Sequence, residues 1–415
     1  MAMFSNIRKN FQPAFWVANG MELFERLAYY GQNAIFSVYL RDHLHLSIAD
    51  AGKLQSLFGG LLYALPVIGG ALADKFGFRK AFATAFSTLA IGYFLIGSAG
   101  MESMNSLYSA LPLMPMLSLW IIITAFGGSF IKPSVLGTVA LTTTEESKSF
   151  GYALYYWLVN IGAALGPVLA FAVRSKFGIE FVYLVSAISC LLMFVVNQLW
   201  FKGVQGAAQG ESLATTFKQF IAVLRNGKFV VFLLIFSLFW MMFWQEFIII
   251  PYYIRDFISP NAPFEIIASA GAWGIIVFQL IINRLTKNIS AQHAIVIGFA
   301  IASCGWLLPA FFSSIPAIIA AIVIFSIGEM VQAPRYYEYI SSIAPSGQQG
   351  MYQGFAFLPI AIAYAFGGVF GAWMYNTLAI SMQKPTGIWF VLCGIGVIAT
   401  ASMGLYNRIN KPLAK

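Results

Sequence analysis

Apolar runs of twenty or more residues recur from one end of this chain to the other, and nothing constrains its fold more than that pattern. A helix crosses the hydrocarbon of a bilayer in about 20 residues. A membrane β-barrel would show short alternating segments instead. The runs here are continuous and rich in Leu, Ile, Ala, Phe and Gly, so they read as helices. Of 415 residues, 60% are hydrophobic and 9% charged. A soluble domain carries about a quarter charged residues. The chain therefore reads as an all-α polytopic membrane protein, and a soluble enzyme is excluded.

Twelve spans are expected, at about 12–40, 50–73, 79–100, 111–140, 149–174, 179–201, 228–256, 264–286, 291–313, 315–343, 347–378 and 385–407. Several exceed the length of a straight crossing and predict tilt. Counting Lys and Arg on alternate sides puts fifteen on one side, among them Lys75, Arg79, Lys80, Lys148, Lys202 and Arg408, and five on the other. The richer side is expected to be cytoplasmic and to hold both termini, in an inner membrane. That distribution also accounts for the net charge of +9 without nucleic acid. The longest polar stretch, 202–227, carries Leu213, Phe217, Phe220, Ile221 and Leu224 at helical spacing, with Lys218 and Arg225 between them. It predicts a surface helix linking a bundle over 1–201 to a second over 228–415. The first run follows a basic start and lacks a short core with a cleavage site, so it is expected to remain as a span. Cys190, Cys304 and Cys393 lie inside apolar runs, and His43, His45 and His293 in or near loops, without metal spacing. No cofactor is expected.

The first span holds Glu22, Glu25, Arg26, Tyr29 and Tyr30, at offsets that put them on one helix face. Three charges on one face of a membrane helix are expensive unless they pair or line a wet cavity. Glu22 and Arg26 are spaced for an i,i+4 contact. The competing reading is a structural ion pair that fixes helix packing. Lys132 in the fourth span also needs a partner or a pore. Pro133 beside it interrupts the helix hydrogen-bond ladder. Between spans two and three, Gly69-Gly70-Ala71-Leu72-Ala73-Asp74-Lys75-Phe76-Gly77-Phe78-Arg79-Lys80 supplies turn glycines, an acid for capping or pairing, and basic anchors.

That loop resembles the G-x-L-x-D-x-x-G-R-[KR] loop of the major facilitator superfamily, which in the family latches the two halves and does not touch substrate. Residues 22–31 resemble the E-x-x-E-R-F-x-Y-Y-G motif of the proton-coupled oligopeptide transporters, with Leu27 for Phe. Gly127 to Val135 is similar to G-x-G-x-x-K-P-N-V, with Ser134 for Asn. Tyr155 to Ala163 is similar to F-Y-x-x-I-N-x-G-S. Phe239 to Gln245 is similar to F-W-x-x-[FY]-E-Q, but Trp244 stands where the family has an acid. Gly328-Glu329 through Pro334, with Ala344-Pro345 downstream, resembles G-E-x-x-x-x-P. The matches fall in spans one, four, five, seven and ten. Glu246, Arg335 and Glu338 are additional charges, and Arg335 and Glu338 are spaced to pair.

The resemblance implies a major facilitator fold of two six-helix halves and a monomeric proton symporter importing small peptides by alternating access. Glu22, Glu25, Arg26 and Glu329 would couple protons. Arg26, Tyr29, Tyr30, Lys132, Tyr156, Asn160, Trp240, Gln245 and Glu329 would line the substrate site. Asp74, Arg79, Pro133 and Pro334 would serve gating and structure. Burial favours a carboxylate's neutral form and a nearby Arg its charged form, so opening and closing the cavity would load and release a proton. Arg26 and Lys132 suit an anionic group. Glu329 suits an ammonium group, or Lys132 when the cavity is empty. Asn160 and Gln245 also fit interhelical hydrogen bonding. Three alternatives stand beside this reading: coupled transport of another carboxylate-bearing metabolite or siderophore, drug or metabolite efflux by antiport, and a non-transporting membrane receptor or enzyme. Gly162-Ala163-Ala164-Leu165-Gly166-Pro167 faintly resembles an antiporter G-x-x-x-G-P stretch, although small-xxx-small spacing is common packing.

Overall fold

A computed structural model describes residues 11–204, 221, 223–344 and 349–410. The expected linker helix over 213–224 lies almost entirely outside the described residues, as does Pro345. The architecture is helical, and among the described residues the one β-bridge pairs Phe11 with Thr143.

The principal helices are α1 (Pro13–Val38), α2 (Ile48–Ala64), α3 (Pro66–Phe76), α4 (Phe78–Ser98), α5 (Leu113–Gly128), α6 (Ile131–Thr142), α7 (Glu145–Phe177) and α8 (Glu180–Trp200). They continue as α9 (Gly227–Ile248), α10 (Ile250–Phe257), α11 (Ala270–Thr286), α12 (Ala291–Gly305), α13 (Ile315–Ile343), α14 (Leu358–Met374) and α15 (Gly387–Ile409). Their starts follow local chemistry. Proline stands in the first turn of α1, α3, α10, α13 and α14, where its missing N–H costs nothing. Thr144 and Ser147 form a capping box at α7, and Asn226 caps α9 by accepting from the Phe229 N–H at 3.2 Å.

Ten of the described helices or helix pairs are long and apolar enough to cross a membrane, and the bent pair α2–α3, turned by 42°, makes eleven. α1 is 26 residues long, but its three charges set it apart from the apolar group. Apolar side chains such as Leu169, Leu191, Leu280 and Val397 stand outward, as a lipid-facing surface requires. The chain is therefore a multi-pass membrane protein.

The chain divides into two compact units, Met1–His45 with Leu57–Phe217, and Leu46–Ser56 with Lys218–Lys415. In the first unit, α1 packs on α6, α7 and α8, and α4 packs on α5 and α8. Small residues set the approach. A Cβ on Gly92 would fall 2.2 Å from the Thr124 hydroxyl, and one on Gly69 would fall 2.6 Å from the Ser129 carbonyl. Gly77, at φ +85°, makes the turn from α3 to α4 in a conformation that suits glycine. In the second unit α12 packs on α13 and α15, α11 on α13, and α9 on α14 and α15. Gly298 and Gly328 bring α12 and α13 backbone to backbone. Residues 46–56 count with this unit, where the Ser56 hydroxyl accepts from the Val369 N–H at 3.0 Å.

Candidate functional site

The buried charges of the first unit centre on Arg26. Glu22, Glu25 and Arg26 are 0%, 2% and 4% exposed. Arg26 forms a hydrogen-bonded ion pair with Glu25 and a second ion pair with Glu22 at 3.4 Å. Neither Glu22 oxygen accepts a hydrogen bond from a described residue, so that contact is ionic alone. The Arg26 guanidinium lies over the Tyr29 ring, 4.9 Å from its centroid. Phe24, on the opposite side of α1, is exposed, which fits a polar face turned inward and an apolar face turned outward.

Lys132 enters through a break. α5 ends at Gly128 and α6 begins at Ile131, so Pro133 falls in the first turn of a new helix. The Lys132 ammonium sits 5.3 Å from the ring centroid of Tyr63 on α2, and Tyr63 and Tyr29 hydroxyls lie 3.4 Å apart. Tyr29 thus contacts Arg26 on one side and Tyr63 on the other. Lys132 is within electrostatic range of Arg26, Glu22 and Glu25. Two buried acids, a buried Arg and a half-buried Lys therefore share one region, balanced in charge when all four are ionised.

Glycines on α7 make room for this cluster. A Cβ on Gly162 would lie 2.4 Å from the Arg26 Cβ, and one on Gly166 would lie 2.7 Å from the Leu27 carbonyl. The small-xxx-small stretch over 162–166 therefore packs α7 on α1 at the charged turn. Tyr155 and Tyr30 are within electrostatic range of Arg26, whereas Tyr156 is 46% exposed. Asn160 is buried and donates to the Tyr156 carbonyl at 2.9 Å, a bond within its own helix. Tyr63 carries no sequence signal that separates it from packing aromatics, and Tyr155 carries only its place in the F-Y-x-x-I-N-x-G-S resemblance.

The remaining residues singled out in the sequence are spread more widely. Arg79 is exposed and donates to the Gln198 carbonyl at 2.8 Å, while Asn197 donates back to the Arg79 carbonyl at 3.1 Å. This ties the start of α4 to the end of α8. Asp74 is exposed on α3. In the second unit the Gln245 amide donates to the Gly367 carbonyl at 3.2 Å, joining α9 to α14. Trp244 stacks on Tyr364 of α14, with ring centroids 3.9 Å apart. Trp240 meets Phe239 and Phe243 edge-on, and its indole N–H finds no acceptor among the described residues. Glu329 is half-buried on α13, with Pro334 inside the same helix. Arg335 and Glu338 pair at 2.6 Å, as their spacing predicts.

A helical membrane protein with charged side chains buried inside one unit is an architecture that transport proteins use. Residues 21–261, more than half of the chain, match the family described as Major Facilitator Superfamily, and the chain belongs to that superfamily. It is 24% identical over 379 residues to the multidrug resistance protein MdtH of Yersinia enterocolitica, covering 91% of this chain and 90% of that protein. The Yersinia pestis protein of the same name is equally similar. Among solved structures, a POT family transporter in complex with 5-aminolevulinic acid superposes with a TM-score of 0.78 at 17% identity, covering 96% of both chains. The POT family transporter PepTSo gives 0.76 at 15% identity, covering 97% of this chain and 99% of that one. These superpositions establish a shared fold.

Proposed function

We propose that this protein is a proton-coupled secondary active transporter that imports small peptides by alternating access. Its twelve spans would form two six-helix halves, α1 being the first span, in a cell inner membrane with both termini cytoplasmic. It would work as a monomer.

The observation that carries this reading is the cluster of buried Glu22, Glu25 and Arg26 with half-buried Lys132, in one unit of a chain that shares its fold with POT family transporters. Intramembrane ionisable groups are functional by default, and a packing role does not need four of them. Arg26 presents a planar fork and Lys132 a point charge, a pair suited to a carboxylate. A substrate carboxylate competing for Arg26 would free Glu25, and Glu25 could then take a proton without leaving a charge unpaired. Tyr29, Tyr30, Tyr63 and Tyr155 are close enough to shape the same region. In the second unit Glu329 would hold an ammonium group or a proton, and Trp240 and Gln245 of α9 would serve as substrate contacts. Tyr156 and Asn160 would contribute from α7. Asp74, Arg79, Pro133 and Pro334 would set the hinges and turns. The 5-aminolevulinic acid bound by the POT family relative is a zwitterion with an amine and a carboxylate, and another small carboxylate-bearing solute would suit the same groups.

Efflux of drugs by antiport is a second reading, favoured by the similarity to MdtH over nine-tenths of the chain. Reconstitution separates the two. In proteoliposomes with an imposed inward proton gradient, labelled di-alanine accumulates if the first reading holds, and an uncoupler abolishes it. A folded protein that ignores di-alanine but expels a lipophilic dye against its gradient would replace the first reading with the second.

A further inference from the structure

The acid on α9 that the mechanism above does not use is Glu246. The last turns of this helix face two ways. Trp244 and Gln245 are turned to α14. Phe239 and Phe243 pack on Phe325 of α13, with centroids 4.9 and 6.1 Å apart. Glu246 stands three residues beyond Phe243, on the stripe turned toward α13, and about 200° around the helix from Trp244. It is 4% exposed.

The glycine at 271 opens the space that Glu246 enters. A Cβ there would fall 2.7 Å from the Ser326 hydroxyl and 3.7 Å from Glu246 Oε1, so carboxylate and hydroxyl converge on one spot over α11. Ser326 is itself 4% exposed. Glu329, one turn further along α13, is within electrostatic range of Glu246. No Lys or Arg among the described residues comes within 4.0 Å of either carboxylate.

The other titratable groups on neighbouring elements are engaged or lie elsewhere. α14 offers Tyr364, stacked on Trp244. α15 offers Cys393, Tyr406 and Arg408, and Tyr406 accepts from Tyr339 at 3.3 Å. On α10, Tyr253 bonds Ser313, Asp256 accepts from Tyr375, and Arg255 lies over Phe264. Tyr252 meets Tyr375 edge-on, and Glu265 precedes α11 by one turn. Arg284 stands at the far end of α11, His293 bonds Ser290 at the start of α12, and Cys304 is exposed at its end. Arg335 is held by Glu338 and by the carbonyls of Thr286 and Lys287.

A carboxylate without a counter-charge is costly in such a place, and a second negative charge nearby raises the cost. From the convergence of Glu246, Ser326 and Gly271 beside Glu329, we propose that Glu246 is a proton-binding acid of the second unit, with a charge state coupled to that of Glu329. That the bound proton is a transported one rests on the proposed symport. The binding itself does not.

The test counts protons in the full-length protein in liposomes, without substrate. A pH jump is followed with an indicator dye, and the carboxylic C=O stretch is followed by infrared difference spectroscopy. Glu246→Gln should release about one proton fewer per molecule and lose one titrating carboxyl band. Glu329→Gln should move the release from Glu246 to lower pH, because a neighbouring negative charge has gone. An unchanged proton count and band in Glu246→Gln would overturn the proposal. Should that variant not fold, an unmoved titration in Glu329→Gln would overturn it equally. Because no substrate is added, failure of di-alanine uptake leaves this result readable. Di-alanine uptake with an unaltered count would keep the symport reading and discard this one.

Discussion

Replacing Arg26 with Met removes the shared cation and leaves Glu22 and Glu25 buried without it. At 3.4 Å, with an effective dielectric constant of about 20, one such pair is worth about 5 kcal/mol before desolvation is counted. Breaking a buried pair by deleting one partner costs about 3–5 kcal/mol in practice, because the surviving charge has no compensation. The loss should therefore be about 3–5 kcal/mol near neutral pH. It should shrink as pH falls, because a protonated carboxyl needs no cation. Adding Glu25→Gln to Arg26→Met leaves Glu22 to balance Lys132 and should recover most of the loss, to within about 1 kcal/mol. Thermal unfolding of purified protein, scanned at one fixed rate, ranks the variants. A single variant as stable as the parent, or a double variant no better than the single, would refute the claim that the cluster is electrostatically closed within itself.

Other outcomes follow from neighbouring contacts. Gly162→Val should destabilise the protein by about 1–3 kcal/mol and reduce transport, since even a Cβ meets Arg26 at 2.4 Å; normal melting and normal transport would show that α1 and α7 give way easily. Tyr63→Phe removes the hydroxyl 3.4 Å from Tyr29 while keeping the ring under Lys132, so transport should fall more than thermal stability does. Equal loss of both would assign Tyr63 to packing. Gln245→Leu should cost about 1 kcal/mol in stability through the lost bond to Gly367. A variant that melts normally but binds substrate poorly would show that Gln245 serves the proposed substrate site and adds little to helix packing.

The inward polar face of α1 is legible in the sequence because charge is so rare in these runs that three on one face stand out. The span over 315–343 is likewise one helix, and the pairing of Arg335 with Glu338 follows from spacing alone. Other features depend on helix phase and tertiary approach. Tyr155 and Tyr156 differ by about 100° of rotation, and no charge pattern on α7 tells which one comes within electrostatic range of Arg26. Tyr63 belongs to a run rich in apolar residues and gains meaning only when the break between α5 and α6 aims Lys132 at it. The antiporter-like spacing over 162–166 gives the same residues whether they gate or pack, and here they pack on α1. The run over 228–256 reads as one span, but the chain forms two helices that meet at Ile249, ahead of Pro251. Glu246 differs from an ordinary helix-end acid only through Gly271 and Ser326, which are distant in sequence.

The central claim is that substrate and protons move together in one direction. Proteoliposomes loaded with a pH-sensitive dye and given no imposed gradient test it directly. Adding di-alanine outside should acidify the lumen, and the signal should vanish in Glu25→Gln and in Lys132→Ala. No pH change from folded protein would contradict coupled peptide import, and lumenal alkalinisation on adding a lipophilic cation would point to proton-driven exchange in its place.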